Sequence, residues 1–371
     1  MSRIFKSPIA KRRWNNFKSN RRAFWSLWIF SVIFIICLFA EMVANDKPLL
    51  VSYKGDLYTP AFKFYSETDF GGEFESEAEY PAPEVQCLIR SGGLESCLDD
   101  PEGIYADADD GIVDGQKIDK GWILNPPIPY SFNTINYDVA TAPSAPDSKH
   151  WLGTDDQTRD VVARIIYGFR ISTIFGLLVV FMSSCIGIFA GAVMGYFGGW
   201  VDLVFQRLVE IWDSTPSLYI IIIFSAIFTM NFWILMFLIT LFSWTGLVGL
   251  IRAEFLRARN FEYVRAARAL GVSDMKIMFR HLLPNAMVAT LTFLPFLVTG
   301  AIGTLTSLDF LGFGLPASYP SLGELALQAK NNLHAPWLGF SAFFTFAIML
   351  SLLVFIFEGV RDAFDPRKTF K

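Results

Sequence analysis

Five stretches without one charged side chain constrain what this chain can fold into: residues 23–40, 171–201, 214–251, 282–308 and 335–357. In hydrocarbon every backbone N–H and C=O must find its partner inside the structure, so such runs read as membrane-spanning helices. About 20 apolar residues, each rising about 1.5 Å, cross the apolar core. The run at 23–40, with 18 residues, just reaches. The run at 214–251 holds 38 residues, about 57 Å as a single helix, and is divided at Met230 and Asn231 into two crossings. The expectation is an all-α membrane protein with six transmembrane helices. Trp25, Trp28, Trp200, Trp233 and Trp337 fall near the expected ends, where indoles favour the interface.

Charge sets the sidedness. Lys and Arg collect on cytoplasmic connections. Residues 1–22 carry eight bases (Arg3, Lys6, Lys11, Arg12, Arg13, Lys18, Arg21, Arg22) and no acid, and residues 252–280 carry seven bases against three acids. The tail adds Arg361, Arg367, Lys368 and Lys371. An even number of spans puts all three inside, with Arg159, Arg164 and Arg170 as an outvoted exception outside. The first apolar run exceeds the about 7–15 residues of a signal-peptide core, which favours an uncleaved anchor.

Residues 45–150 face outward. They hold 20 of the 35 acids but 7 of the 31 bases, a net −13 against +9 for the rest. Only 18% of the chain is charged, where soluble domains average about a quarter. A disordered chain, a soluble enzyme and a nucleic-acid binder all fit poorly, since the bases are not on the part that meets water. The chain divides into a basic tail (1–22), a first span (23–44), the acidic insert (45–150), a pre-span segment (151–170), a core of five spans (171–357) and a basic C-tail (358–371). The insert has ten of the 18 prolines and nine glycines, which suggests short strands and turns. Cys87 and Cys97 can form a bridge under oxidising conditions or remain two thiols; a bridge would add about 2–3 kcal/mol. Cys37 and Cys185 lie in spans and read as packing residues. Asp107, Asp109, Asp110 and Asp114 beside Gly111 lack the closing Glu of a calcium loop and read as an acidic surface turn.

Catalytic machinery is absent from the pattern. There is no P-loop, and His150, His281 and His334 are scattered outside the spans, which leaves no metal cluster and no His-paired nucleophile. An intramembrane protease needs a buried Ser and His, and no His qualifies. Span interiors are nearly bare of charge, with Glu210 and Asp213 at the start of the third, so a proton-coupled carrier is disfavoured.

The connection between spans four and five, residues 252–284, carries the most information. Tyr263, Ala266, Ala267 and Leu270 recur at helical spacing as one apolar face, with Arg265 and Arg268 beside it. Gly271 suits the left-handed residue that ends a helix. Ser273 is expected to cap the next helix, with Asp274 in its first turn and Pro284 at the entry to span five. By itself this pattern fits either a surface for another protein or an amphipathic helix lying on the bilayer.

Arg265, Ala266, Ala267 and Gly271, followed by Leu283 and Pro284, resemble the EAA loop of ABC-importer permeases, of the oligopeptide/dipeptide branch in particular. Phe17, Asn20, Arg21 and Arg22 are similar to that branch's entry to the first span. His150, Gly153, Thr154 and Asp155 with Arg159 and Asp160 resemble its block before the second span. Leu308, Phe310, Leu311, Gly312 and Gly314 resemble its loop after span five, and Pro336, Trp337, Arg361, Asp362, Asp365, Pro366 and Arg367 its last span and tail. Leu305 and Asp309 depart from the branch, which usually has Glu and Ser there. Those departures and the long insert resemble a peptide-importer subgroup that also admits the antibiotic microcin C.

The resemblance implies a type I ABC-importer permease fold with a loop-rich insert between helices 1 and 2. It implies a second homologous permease, ABC ATPase subunits that bind the ATP and Mg, a periplasmic peptide-binding protein, and the lipid of an inner membrane, with no cofactor in this chain. Residues 265–274 would form the coupling helix in a groove of the ATPase. Gly153, Thr154, Asp155, Arg159 and Asp160 would either contact the receptor and outer gate or form a capped turn that starts span two. Pro216 and Pro295 are sites for helix kinks. A dipeptide or nickel permease of the same branch would lack the insert, and an anchor for the outside domain would bind no ATPase.

Overall fold

The computed structural model describes residues 8–107, 112–113 and 116–364. Asp109, Asp110, Gly111 and Asp114 of the acidic turn, with Arg3, Lys6, Asp365, Pro366, Arg367, Lys368 and Lys371, lie outside the described residues. The described chain forms two compact units, one of residues 35–167 with 334–338, the other of the remainder.

The helices that make up or connect the apolar elements are α1 (Arg21–Leu38), α2 (Val161–Phe197), α3 (Gly199–Asp213), α4 (Ser217–Ile227), α5 (Phe232–Ser243), α6 (Thr245–Ala258), α7 (Glu262–Ala269), α8 (Leu283–Phe310), α9 (Leu322–Asn331) and α10 (Pro336–Phe364). Five segments are long and apolar enough to cross a membrane: α1, α2, Phe232–Ala258, Asp274–Phe310 and α10. The bent pair α3 and α4, joined at 61°, makes a sixth. The third span is therefore broken beside Pro216, one of the two positions expected to kink. Its break is at Ser214, Thr215 and Pro216, because proline lacks an N–H and disfavours helical geometry in the residue before it. The division at Met230 and Asn231 is real: the Asn231 side chain accepts from the N–H groups of Trp233 and Ile234, both at 3.0 Å, and so caps α5. Pro295 sits inside α8, which continues through it as one helix.

Helix α2 begins ten residues before its apolar run and ends at Gly198, with φ +66°. A Cβ at Gly187, Gly191 or Gly195 would come within 2.3, 2.7 and 2.6 Å of the carbonyl oxygens of Trp244, Val248 and Arg252. Glycine every fourth residue thus lets two backbones touch, as close packing in lipid requires. The Arg252 guanidinium closes this contact onto α3 by a two-toothed bridge to Asp202, at 2.5 and 2.8 Å.

In the other unit, β1 (Leu50–Tyr53) and β2 (Asp56–Tyr58) form an antiparallel pair. Beyond β3 (Ile112–Val113) and β4 (Gln116–Lys117), β5 (Trp122–Leu124) joins the free edge of β1, giving the order β2-β1-β5. The helix Pro83–Ser91 buries Val85 and Ile89 against Val51, Tyr53, Phe70 and Tyr80 of this sheet region. Cys87 and Cys97 are bonded, with Cα atoms 5.6 Å apart, among Leu88, Leu94, Leu98 and Ile104.

Candidate functional site

The corner that the sequence marks out is built as one rigid bend. Gly271, at φ +75°, follows the last residue of α7 by two. Its N–H donates to the Arg268 carbonyl at 2.9 Å, and the Val272 N–H to that of Ala267 at 3.1 Å. This bond pair closes a helix on a left-handed residue. Asp274–Lys276 then starts a new helix, which passes through a π-turn at Ile277–Leu282 into α8 without interruption. Pro284 is the second residue of α8, in the expected entry to span five, and the helix runs through it without a break. The wider turn before it meets the need to accommodate a residue that cannot donate.

Two expectations change. Ser273 stands at the cap position, but its side chain makes no capping bond; its carbonyl accepts from Ile277 N at 3.0 Å. The packed face of α7 is Val264 and Ala267, which join Tyr196, Ile251, Phe255, Ile277, Met278 and Leu282 in one core. Tyr263, Ala266 and Leu270 face outward with Arg265. Leu270 is 82% exposed and Met275 53%. Exposed apolar side chains rimmed by basic ones mark a surface made to be covered.

Tyr196, near the end of α2, is the residue that sequence reasoning missed. Its hydroxyl donates to the Asp274 carboxylate and receives a bond from Arg268 Nε at 3.3 Å. The Arg268 guanidinium lies 4.8 Å from the centre of the Tyr196 ring. Arg268 and Asp274, on the two sides of the bend, are thus held on one phenol. No spacing signal announces a partner 78 residues away.

The block before α2 is a buried knot. The Asp155 carboxylate accepts from Arg159 Nε at 2.7 Å and from the N–H groups of Gln157 and Arg159, both at 2.9 Å, and lies 3.4 Å from Arg164 Nε. Asp160 pairs with His150 Nδ1 at 2.9 Å, and its other oxygen accepts from Ala163 N at 2.8 Å, capping α2. Gly153 has φ +74°, and a Cβ there would meet the Ser144 carbonyl at 2.5 Å. Thr154 O accepts from Trp337 Nε1 at 3.3 Å. Thr154, Asp155, Arg159 and Asp160 are all buried, and together they build the capped turn that starts α2. Arg164, expected outside the span, is fully buried in the first turn of α2 and neutralised by Asp155.

Beside the knot, Asp147 accepts from the N–H groups of His150 and Lys149, at 2.5 and 2.8 Å, which hold its carboxyl below the usual range. Burial, then the charges of Asp160, Asp147 and Asp138, push the Tyr130 phenol up. At the far end of α8, Asp309 is buried, accepting from Leu315 N at 2.7 Å and from the Ser321 hydroxyl. The Ser expected at Asp309 is thus replaced by a carboxylate that ties down the loop leading to α9. No group of His, Cys, Asp and Glu among the described residues has metal-site geometry.

Residues 187–370 match the family of the binding-protein-dependent transport system inner membrane component, and residues 7–60 the N-terminal TM domain of oligopeptide transport permease C. A protein of Escherichia coli, "Inner membrane ABC transporter permease protein YejE", is 52% identical over 99% of both chains. The chain belongs to the oligopeptide-type ABC permeases. A second relative, from Agrobacterium fabrum, is "Peptidoglycan transport system permease protein YejE", 52% identical over 98% of this permease and 95% of its own length. The permease is also 37% identical to "Oligopeptide transport system permease protein OppC" of Lactococcus lactis, over 59% of this chain and 76% of that one. Among solved structures, an inward-facing MetNI methionine ABC transporter chain matches at a TM-score of 0.45 and 16% identity, covering 54% of the permease and 97% of that chain.

Proposed function

We propose that this permease is one half of an ATP-driven importer that moves oligopeptides, peptide antibiotics of the microcin C type included, from periplasm to cytoplasm. The observation that carries the coupling reading is the corner at Gly271. Its inner side is locked to α2 through Tyr196, while Arg265, Ala266, Leu270 and Met275 are left uncovered. A helix laid in a groove of an ATPase subunit would cover that face. Closure of two ATPases around ATP and Mg would push the segment from Arg265 to Asp274. The Asp274 link would pass the push to α2, and the unbroken helix would pass it to span five, opening the path between this chain and a homologous permease.

In this reading both termini and residues 252–284 are cytoplasmic, the insert is periplasmic, and a soluble peptide receptor delivers cargo. The names of the relatives support a peptide cargo, and that of the Agrobacterium protein adds cell-wall peptides to the compounds worth testing. ATP hydrolysis belongs to the partners. The experiment is co-purification with the neighbouring permease, ATPase and receptor, followed by peptide-stimulated ATP hydrolysis in lipid. A preparation that binds no ATPase would favour a membrane anchor, and stimulation by nickel or dipeptides alone would favour the narrower permeases of the branch.

A further inference from the structure

The helix Pro8–Ser19, which precedes α1, packs against the end of α10 and leaves a trough that no step of the transport cycle above uses. Asn20 makes the corner into α1: its N–H donates to the Phe17 carbonyl at 3.2 Å, and its side chain accepts from Ala23 N at 3.3 Å. Helices α1 and α10 nearly touch here, since a Cβ at Gly359 would overlap that of Ala23 and come within 3.0 Å of the Phe17 ring. Beside this contact lies a hollow of about 320 Å³, walled by Trp14, Phe17, Leu27, Ile356 and Val360, with Arg13 and Phe364 at its edge. That volume is within the range of small-ligand sites, about 300–1,000 Å³.

The rim is basic. At helical spacing Trp14 and Phe17 share one face, and Arg13 and Lys18 flank it on either side. The Arg13 guanidinium lies 4.2 Å from the centre of the Phe364 ring, and Lys18 Nζ lies 5.4 Å from that of Trp14. Arg13, Lys18, Arg21 and Arg22 are exposed and form no ion pair among the described residues. The acids on the neighbouring turns of α10, Glu358 and Asp362, are engaged by Arg361 at 3.6 and 3.4 Å. Arg21 and Phe364 mark the ends of two spans, so the trough stands at the level of the lipid headgroups. Trp25 and Trp28, 62% and 49% exposed, lie in the next turns of α1. An apolar trough at that depth with unmatched bases on its rim complements a molecule with a long apolar chain and an anionic head.

We infer that this trough holds one anionic phospholipid. An acyl chain lies along Trp14, Phe17 and Val360, the phosphate is held by Arg13, and Lys18 adds its charge at the rim. The lipid thereby fastens the helix Pro8–Ser19 to the end of the last span. The inference needs the membrane setting alone; neither cargo nor ATPase coupling enters it.

The test is native mass spectrometry of the full chain in detergent, titrated with phosphatidylglycerol, with phosphatidylcholine, and with glycerophosphoglycerol, the same head without acyl chains. One phosphatidylglycerol is expected to bind about fivefold or more tighter than phosphatidylcholine, since each base near a headgroup contributes about that factor. Arg13→Gln should remove about fivefold of the phosphatidylglycerol affinity and leave phosphatidylcholine unchanged. Its melting temperature without lipid should stay close to wild type, because Arg13 is exposed. Val360→Trp, which fills the trough and keeps every charge, should weaken both lipids. Equal affinity for the two lipids, or wild-type phosphatidylglycerol affinity in either variant, would overturn the inference. So would glycerophosphoglycerol competing as well as the whole lipid, which would mark a site for free phosphate esters. Loss of the bound lipid when the neighbouring permease assembles on the chain would overturn it too, marking the trough as a subunit interface.

Discussion

Replacing Gly271 tests the coupling corner directly. Its φ of +75° is the left-handed region, and a Cβ built there meets nothing within 4 Å. Steric collision is thus excluded, and the cost is local backbone strain. For an L-residue that strain is about 1–2 kcal/mol, and β-branched Val belongs at the upper end or beyond. One to two kcal/mol is a factor of about 5–30 in the ratio of bent to unbent corner. Gly271→Val should therefore leave expression, membrane insertion and the spans intact while most corners lose their docking shape. Gly271→Asn, a side chain that tolerates the left-handed region, should keep most activity. The assay is peptide uptake and peptide-stimulated ATP hydrolysis by the reconstituted importer, with gel filtration to report assembly. Wild-type uptake by the Val variant would refute the coupling role, and equal loss in Asn and Val would refute the strain argument.

Tyr196→Phe removes the shared hydroxyl and leaves Asp274 without that donor, at about 1–3 kcal/mol; ATP hydrolysis should continue while uptake falls, and uptake equal to wild type would show that the link is dispensable. Asp155→Ala leaves Arg159 and Arg164 buried together, a loss of about 3–5 kcal/mol, so the melting temperature should drop sharply; weakened receptor affinity at an unchanged melting temperature would show instead a receptor contact. Cys87→Ser with Cys97→Ser opens a loop of sequence separation 10, worth about 3 kcal/mol, and should speed proteolysis of the insert without altering ATPase docking. Asp147 has a lowered folded-state pKa, so its contribution to stability is present above the unfolded value, about 3.9, and is lost as pH falls through the folded one. Melting temperature should decline over that acid window, and Asp147→Asn should flatten the decline.

The spans were legible because charge-free length is a direct demand of the bilayer, and the bend because a left-handed residue favours Gly271. The orientation of α7 was not. Its eight residues carry apolar groups on two sides, and the side with Val264 won because it meets Ile277 and Met278, whose positions depend on the bend itself. The early start of α2 was hidden by Arg164, which looks like a loop charge until Asp155 neutralises it. The buried state of the block from Thr154 to Asp160 was likewise invisible, since charged residues near a span end read equally well as surface. Tyr196 and the Asp309 tether depend on contacts between distant segments, which a single sequence does not record.

The helix from Asp274 to Phe310 runs as one element, through its π-turn and Pro295, from the bend at Gly271 to the loop that Asp309 anchors. Its 37 residues make a strut of about 55 Å. A helix unbroken over that length transmits tilt as well as thrust, so a small rotation at Asp274 becomes a proportionally larger sideways sweep at Phe310. In such a machine the stroke of the motor can be short, and the width of the opening is set by lever length rather than by how far the motor moves.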